Sequence, residues 1–172
     1  DVGVDIQMGS VQEVYRWVQE GRVDMCFASR QESVALDWTP LRDDELFAIL
    51  PPDYDNGGRD VFPVADFAGK EFLMPSMGFN LDIMRVLNRH GVLPLIRTTQ
   101  VSDSVIISMV EHGLGVSMLS RLVLQGRQDD VQALPLAPRA VRELGIASRP
   151  RRELRPAVRQ FIAEAREMIE KM

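Results

Sequence analysis

The sequence predicts an α/β protein built in two lobes, and three observations predict it. Apolar runs of strand length alternate with segments of helical periodicity. The helices carry their own start and stop signals: Ser10 with Glu13 three residues on, and Gly21, Gly91 and Gly113 at expected ends. A turn-rich stretch, "PPDYDNGGRD" at residues 51–60, separates two such series and is the best linker.

"VDIQM" (Val4–Met8) reads as a short strand. Ser10 and Glu13 form an S-x-x-E capping box, which satisfies free backbone donors at a helix start. Val11, Val14, Tyr15 and Val18 then fall on one helical face, and Gly21 stops the helix. "VDMCFAS" (Val23–Ser29) is nearly all apolar, as a parallel strand covered on both faces would be. Strand, capped helix and buried strand make a βαβ unit with a right-handed crossover.

"ELFAILPP" is a strand ended by Pro51 and Pro52, which cannot donate to a ladder. "EFLMP" opens the second series. "NLDIMRVLNRHG" follows as a helix with Asn80 as N-cap and Gly91 as stop, and "LIRTTQV" is a strand. A helix capped by Ser102, Asp103 or Ser104 turns Val105, Ile106, Met109 and Val110 inward and ends at Gly113. It feeds the strand "GVSMLS". The second lobe is therefore βαβαβ. "VQALPL" and "RELGIAS" are late strands. The C-terminal helix has Pro156 in its first turn and an apolar stripe of Val158, Phe161, Ile162, Ala165, Met168 and Ile169. The first lobe shows one βαβ where the second shows two, so matched lobes imply a strand and helix ahead of Asp1.

Composition narrows the classes. The chain has 172 residues, 45% apolar and 26% charged, which suits a folded globular protein. No apolar run approaches the roughly 20 residues of a membrane helix. The first residues lack the basic start and apolar stretch of a signal peptide. A net charge of −5 argues against a nucleic-acid surface on this piece. A single cysteine forms no internal disulfide, and a reducing cytoplasm fits best.

The residue inventory argues against catalysis. His90 and His112 lie far apart in sequence and Cys26 sits inside an apolar strand, so no metal site and no nucleophile is expected. His112 falls in the last turn of its helix, where a cation is mildly favourable, with no acid or nucleophile beside it. "GLGVSM" lacks the third glycine of a dinucleotide fingerprint and follows a helix instead of a strand. "RDDE" (Arg42–Glu45) reads as a solvated turn. "RPRRELRP" (Arg149–Pro156) reads as a solvated basic loop.

Two helix starts remain. "PSMGFN" (Pro75–Asn80) and "VSDS" (Val101–Ser104) each leave a strand end and enter a helix. Ligands of open α/β sheets sit outside the carboxyl ends of strands, and helix N-termini offer unpaired N–H groups and partial positive charge. Ser76, Ser102 and Ser104 add hydroxyls, and Gly78 permits close backbone approach. Ser29 and Arg30 close the first lobe's strand and would face them. Taken singly, the serines and Asn80 read better as ordinary caps; as a set facing one cleft, they read equally well as a ligand site.

The ordered set of stretches resembles the effector-binding (regulatory) domain of LysR-type transcriptional regulators, over nearly the whole chain. "VDIQMGSVQEVYRWVQEGRVDMCFAS" places Gly21 and Asp24 as the family does. "WTPLRDDELFAILPPDY" is similar to its strand into the hinge, with Tyr54 or Asp55 in the region of a usual histidine. "VADFAGKEFLMPSMGFN" resembles its entry to the second lobe. "VSDSVIISMVEHGLGVSMLSR" resembles its most recognisable helix, with Ser120 where proline is common.

The resemblance implies two Rossmann-like lobes with a hinge and an interdomain cleft, as in type 2 periplasmic binding proteins. Lobe I is residues 1–50 and 144–172, and lobe II is residues 51–143. It implies a small-molecule effector and no cofactor. The contact candidates are Ser29, Arg30, Pro75, Ser76, Met77, Gly78, Phe79, Val101, Ser102, Asp103 and Met118, with Leu119 beside Met118 on the floor. Met77 and Phe79 suggest an organic acid with an apolar body. DNA would be met only through a winged helix-turn-helix ahead of Asp1. A homodimer or homotetramer would form through the helices Ser10–Glu20 and Leu81–Arg89. Two rivals share the scaffold: a periplasmic solute-binding protein, and a small enzyme, which would need an acid–base pair.

Overall fold

Residues 3–31, 34–75, 80–98, 101–127 and 129–171 are described by a computed structural model. They divide into two units, Asp1–Asp43 with Glu143–Met172, and Asp44–Arg142. The chain passes between the units within strands β2 (Asp37–Leu50) and β8 (Val141–Ser148).

In the first unit the capping box forms as the sequence requires. Ser10 Oγ accepts from Glu13 N, and Glu13 Oε2 accepts from Ser10 N at 2.9 Å. Helix α1 (Val11–Gln19) buries Val11, Tyr15 and Val18, and Gly21 stops it at φ +72°. Tyr15 donates its hydroxyl proton to Ser29 O at 3.0 Å, which ties α1 to the end of β1 (Met25–Ser29). Helix α4 (Pro156–Glu170) begins at Pro156, whose missing N–H loses nothing there.

Three expectations for this unit are corrected. Val4–Met8 forms no strand. Val4, Ile6 and Met8 are exposed, and no described ladder reaches them, so alternation alone makes no strand. β1 is antiparallel, pairing Met25 with Ser148 through Ser29 with Leu144 of β8. The expected βαβ crossover over residues 4–29 is therefore not formed. Nor is β1 covered on both faces: Phe27 is 57% exposed, and its ring meets Phe161 of α4 edge-on at 6.4 Å. In α4, Val158 is buried, whereas Phe161 and Met168 are exposed.

The second unit follows the predicted βαβαβ order. β4 (Glu71–Met74) runs parallel to β5 (Leu95–Thr98), and Phe72 bridges in parallel to Val116. Helix α2 (Asn80–Arg89) and helix α3 (Asp103–Glu111) are the connections. The far half of β2 lies between β6 (Ser117–Ser120) and β7 (Gln132–Ala137), antiparallel to both, and β3 (Phe62–Pro63) runs parallel to β7. Residues 44–50, which the sequence placed in the first lobe, thus pair inside the second unit.

Two cores arise from strand alternation. Leu46, Ala48, Leu50, Phe72 and Met118 pack with Ile83 and Leu87 of α2. Phe47, Ile49, Leu73 and Leu119 pack with Ile106, Ile107 and Val110 of α3. Strands buried on both faces read as continuous apolar runs because neither face meets water. Gly115 joins α3 to β6 where the backbone is tight. A Cβ there would sit 2.7 Å from Glu71 O, and φ is +154°. That approach explains the "GLG" pattern without any nucleotide.

Candidate functional site

Helix α3 has Ser102 as its N-cap, with an extended backbone (φ −67°, ψ 159°). Its carbonyl accepts from Val105 N at 3.0 Å and Ile106 N at 3.1 Å. Its side chain does not cap the helix. Ser102 Oγ lies 2.9 Å from Ser104 Oγ instead, so two exposed hydroxyls sit together over the first turn. A helix start of this kind combines first-turn amides, partial positive charge and hydroxyl donors, which is the chemistry that receives an anion.

Asp103, the first helical residue, is half-buried and stands in the field of Arg142. Burial pushes its carboxyl above the ordinary carboxylate range, and the Arg142 guanidinium offsets part of that rise. Arg142 is itself held. Nε and Nη2 donate to Asp44 Oδ2 at 2.9 and 2.7 Å, and Nη2 reaches Ser120 Oγ at 3.2 Å. Leu122 N donates to Asp44 Oδ1 at 3.2 Å. A raised native pKa means the folded state holds the proton more tightly than the unfolded one. Its contribution is full below the ordinary aspartate pKa and is lost as pH rises through the raised value. Urea titrations from about pH 3 to about pH 7 should therefore show Asp103→Asn gaining stability relative to the parent as pH rises. A relative loss over that window would contradict it.

Asp44 corrects the reading of Arg42–Glu45 as a solvated turn. These residues belong to β2, and Asp44 is 2% exposed. A period-two signal was present: Asp44 shares its strand face with Leu46, Ala48 and Leu50, all buried. Arg142, its partner, was missed for want of any local mark. The basic stretch at 149–156 holds a short 3₁₀ turn (Arg151–Glu153), and Arg155 bridges Asp24 at 2.7 Å.

The remaining candidates are spread. Pro75 is buried, and Val101 packs beside the core under α3. Ser76, Met77, Gly78 and Phe79 lie outside the described residues. In the first unit, Ser29 is buried, its carbonyl taken by Tyr15 and its Oγ 3.4 Å from Gln31 Nε2. The exposed Arg30 pairs with Glu143 at 3.2 Å. Met118 is corrected. It is 0% exposed and packs in the α2-side core, with Leu119 in the other, because β6 is central and covered on both faces. The structure thus brings Ser102, Asp103 and Ser104 to one helix end, within the field of Arg142.

Among the described residues, no group of three or more His, Cys, Asp or Glu could hold a metal ion. Cys26 is buried and its thiol is pushed up to about 11, chiefly by that burial. His112 closes α3, its Nδ1 2.8 Å from Ser108 O. No helix among the described residues is long and apolar enough to cross a membrane.

A doubly covered βαβαβ unit with a hydroxyl-rich helix start is the build of a small-ligand-binding domain. Residues 1–170 match the LysR substrate binding domain, and the chain belongs to that family. It is similar to the Escherichia coli (strain K12) DNA-binding transcriptional dual regulator OxyR, 28% identical over 161 residues, covering 86% of this chain and 50% of that protein. It is also similar to the malonate utilization transcriptional regulator of Klebsiella pneumoniae, 26% identical over 152 residues, covering 84% and 49%. The chain thus spans about half the length of these curated relatives. Among solved structures it is similar to the regulatory domain of CcmR from Synechocystis PCC6803 in complex with 2-PG. The TM-score is 0.81 at 21% identity, over 95% of this chain and 81% of that one. The effector binding domain of QuiR in complex with shikimate gives a TM-score of 0.80 at 18% identity, over 95% and 79%. The fold is therefore type 2 periplasmic-binding-protein-like.

Proposed function

We propose that this chain is the ligand-sensing domain of a LysR-type transcriptional regulator, and that its effector is a small organic acid with an apolar body. The acid's anionic group is received at the start of α3 by the first-turn amides and the Ser102 and Ser104 hydroxyls. Asp103 and the Arg142 it faces set the charge the effector meets. The contact set extends to Ser29, Arg30, Val101 and the segment Pro75–Phe79. Residues up to Asp43 with those from Glu143 form lobe I, and Asp44–Arg142 form lobe II. The observation that carries this reading is the uncapped Ser102 hydroxyl paired with Ser104 over the first turn of α3.

The domain carries no catalysis of its own and works by population shift. An effector changes the output only through different affinities for two states of the domain. DNA is met through a winged helix-turn-helix outside residues 1–172, in a cytoplasmic homodimer or homotetramer. The curated relatives are named as transcriptional regulators, which favours this reading over a periplasmic solute-binding protein.

A thermal-shift screen with small organic acids, shikimate and malonate among them, tests the proposal. A matching acid at a hundred times its Kd stabilises by about 2.7 kcal/mol. Ser102→Asp sets a carboxylate where the anion would sit, and should abolish the shift while leaving the unliganded melt within about 0.5 kcal/mol of the parent. A shift that persists undiminished in Ser102→Asp excludes this helix end as the effector site.

A further inference from the structure

We propose that Asn56 is a site of spontaneous deamidation, closed by attack of Gly57 N on its side chain, and that Gln132 of β7 restrains the step. The chain has three asparagines. Asn80 and Asn88 are followed by Leu81 and Arg89 within α2, where a bulky next residue and a fixed helical backbone oppose ring closure. Asn56 is followed by Gly57 and Gly58, in the turn-rich stretch after β2. Gly57 is exposed, has φ +67° and has open space where a Cβ would stand, so no side chain of its own blocks its nitrogen.

The reaction needs water and no other reagent. Gly57 N bonds to Asn56 Cγ, the Cγ–Nδ2 bond breaks, and ammonia leaves with the Gly57 proton. Water then opens the cyclic imide on either side. Opening at Cγ leaves aspartate. Opening at the main-chain carbonyl carbon leaves isoaspartate, with the backbone rerouted through the side chain. Asp55 Oδ1 accepts from Gly57 N at 2.9 Å, so a carboxylate already stands on the proton that must depart.

The restraint comes from the bonds on the amide. Asn56 Nδ2, the group that must leave, donates to Gln132 Oε1 at 3.2 Å, and Asn56 Oδ1 accepts from Arg59 N at 3.2 Å. Both hold the side chain against the rotation that brings Cγ to Gly57 N. Gln132 Nε2 in turn donates to Pro52 O and Tyr54 O, each at 2.8 Å, so one side chain clasps the whole turn. After deamidation a carboxylate oxygen faces Gln132 Oε1 where a donor stood. Two acceptors share no hydrogen bond, and the new charge adds to that of Asp55. The product therefore loosens from β7.

Incubation in mildly alkaline buffer followed by peptide mapping tests this. Aspartate and isoaspartate should accumulate at position 56, more slowly in the folded chain than in urea, while Asn80 and Asn88 stay intact. Gln132→Ala, held where urea titration shows it folded, should react severalfold faster. Asn56→Gln, whose longer side chain closes a ring less readily, should yield no isoaspartate. Arg59 Nε is held to Asn56 O at 2.7 Å. The deamidated chain, separated by anion exchange, should therefore be cut by trypsin after Arg59 severalfold faster than the parent. The proposal fails if Asn80 or Asn88 reacts before Asn56, or if Asn56 survives in the folded chain while it is lost in urea. It fails equally if Gln132→Ala reacts no faster than the parent, or if the deamidated chain is cut no faster.

Discussion

Arg142→Met is expected to lower the unfolding free energy by about 3–5 kcal/mol, because it strands a buried carboxylate. Asp44 is 2% exposed and receives two bonds to one oxygen from Arg142, the other oxygen taking Leu122 N. With the guanidinium gone, one backbone donor must hold the charge against a large desolvation penalty. Replacing both partners, as Asp44→Leu with Arg142→Met, removes that stranded charge and should recover most of the loss. Urea titration of the three variants measures this, read as a change in midpoint at constant slope. A single Arg142→Met within about 1 kcal/mol of the parent would show that the pair is not buried in solution.

The pair has structural reach beyond its energy. Asp44 and Arg142 are the first and last residues of the second unit, one on each strand that leaves it. Their bond joins the two exits to each other, and Ser120 Oγ joins both to β6. Arg142 also acts on Asp103 at the start of α3. A change in this network therefore alters the charge at the candidate effector site without touching Ser102 or Ser104.

Phe67→Ala should be of similar size. Phe67 is 0% exposed and lies at the middle of a row of rings, 4.7 Å from Phe62 and 5.3 Å from Phe72. Removing the ring forfeits its transfer energy and leaves a cavity that these neighbours cannot close, for about 3–5 kcal/mol. Phe27→Ala is the control of equal chemistry. That ring is 57% exposed, and its loss should cost about 1 kcal/mol or less. Denaturant melts that place the two alanines at equal stability would contradict the burial of the Phe62–Phe67–Phe72 row.

Much of the second unit was legible because its signals are local. The apolar run of "EFLMP", a helix of period 3.6, and Gly91 and Gly113 at helix ends all act within one or two turns of chain. The Ser10–Glu13 box was legible for the same reason. The candidate site was legible only in its local half. Ser102 and Asp103 announce a helix start, but nothing near residue 142 announces that an arginine on β8 will act on the charge of Asp103. Met118 shows the opposite error. An apolar residue near a strand end reads as pocket floor until both covering faces are known.

The order of strands and helices in the second unit, the Ser10–Glu13 cap, the glycine stops and the helix start at Ser102 were therefore determined by the sequence itself. Each depends on neighbours a few residues away, where backbone geometry alone sets the outcome. Only the tertiary structure decided that β1 runs antiparallel to β8, that Val4–Met8 stays out of any described ladder, and that Asp44 and Arg142 share a buried bond. Strand direction and charge burial depend on which distant segment arrives alongside, and a periodic pattern carries no record of its partner.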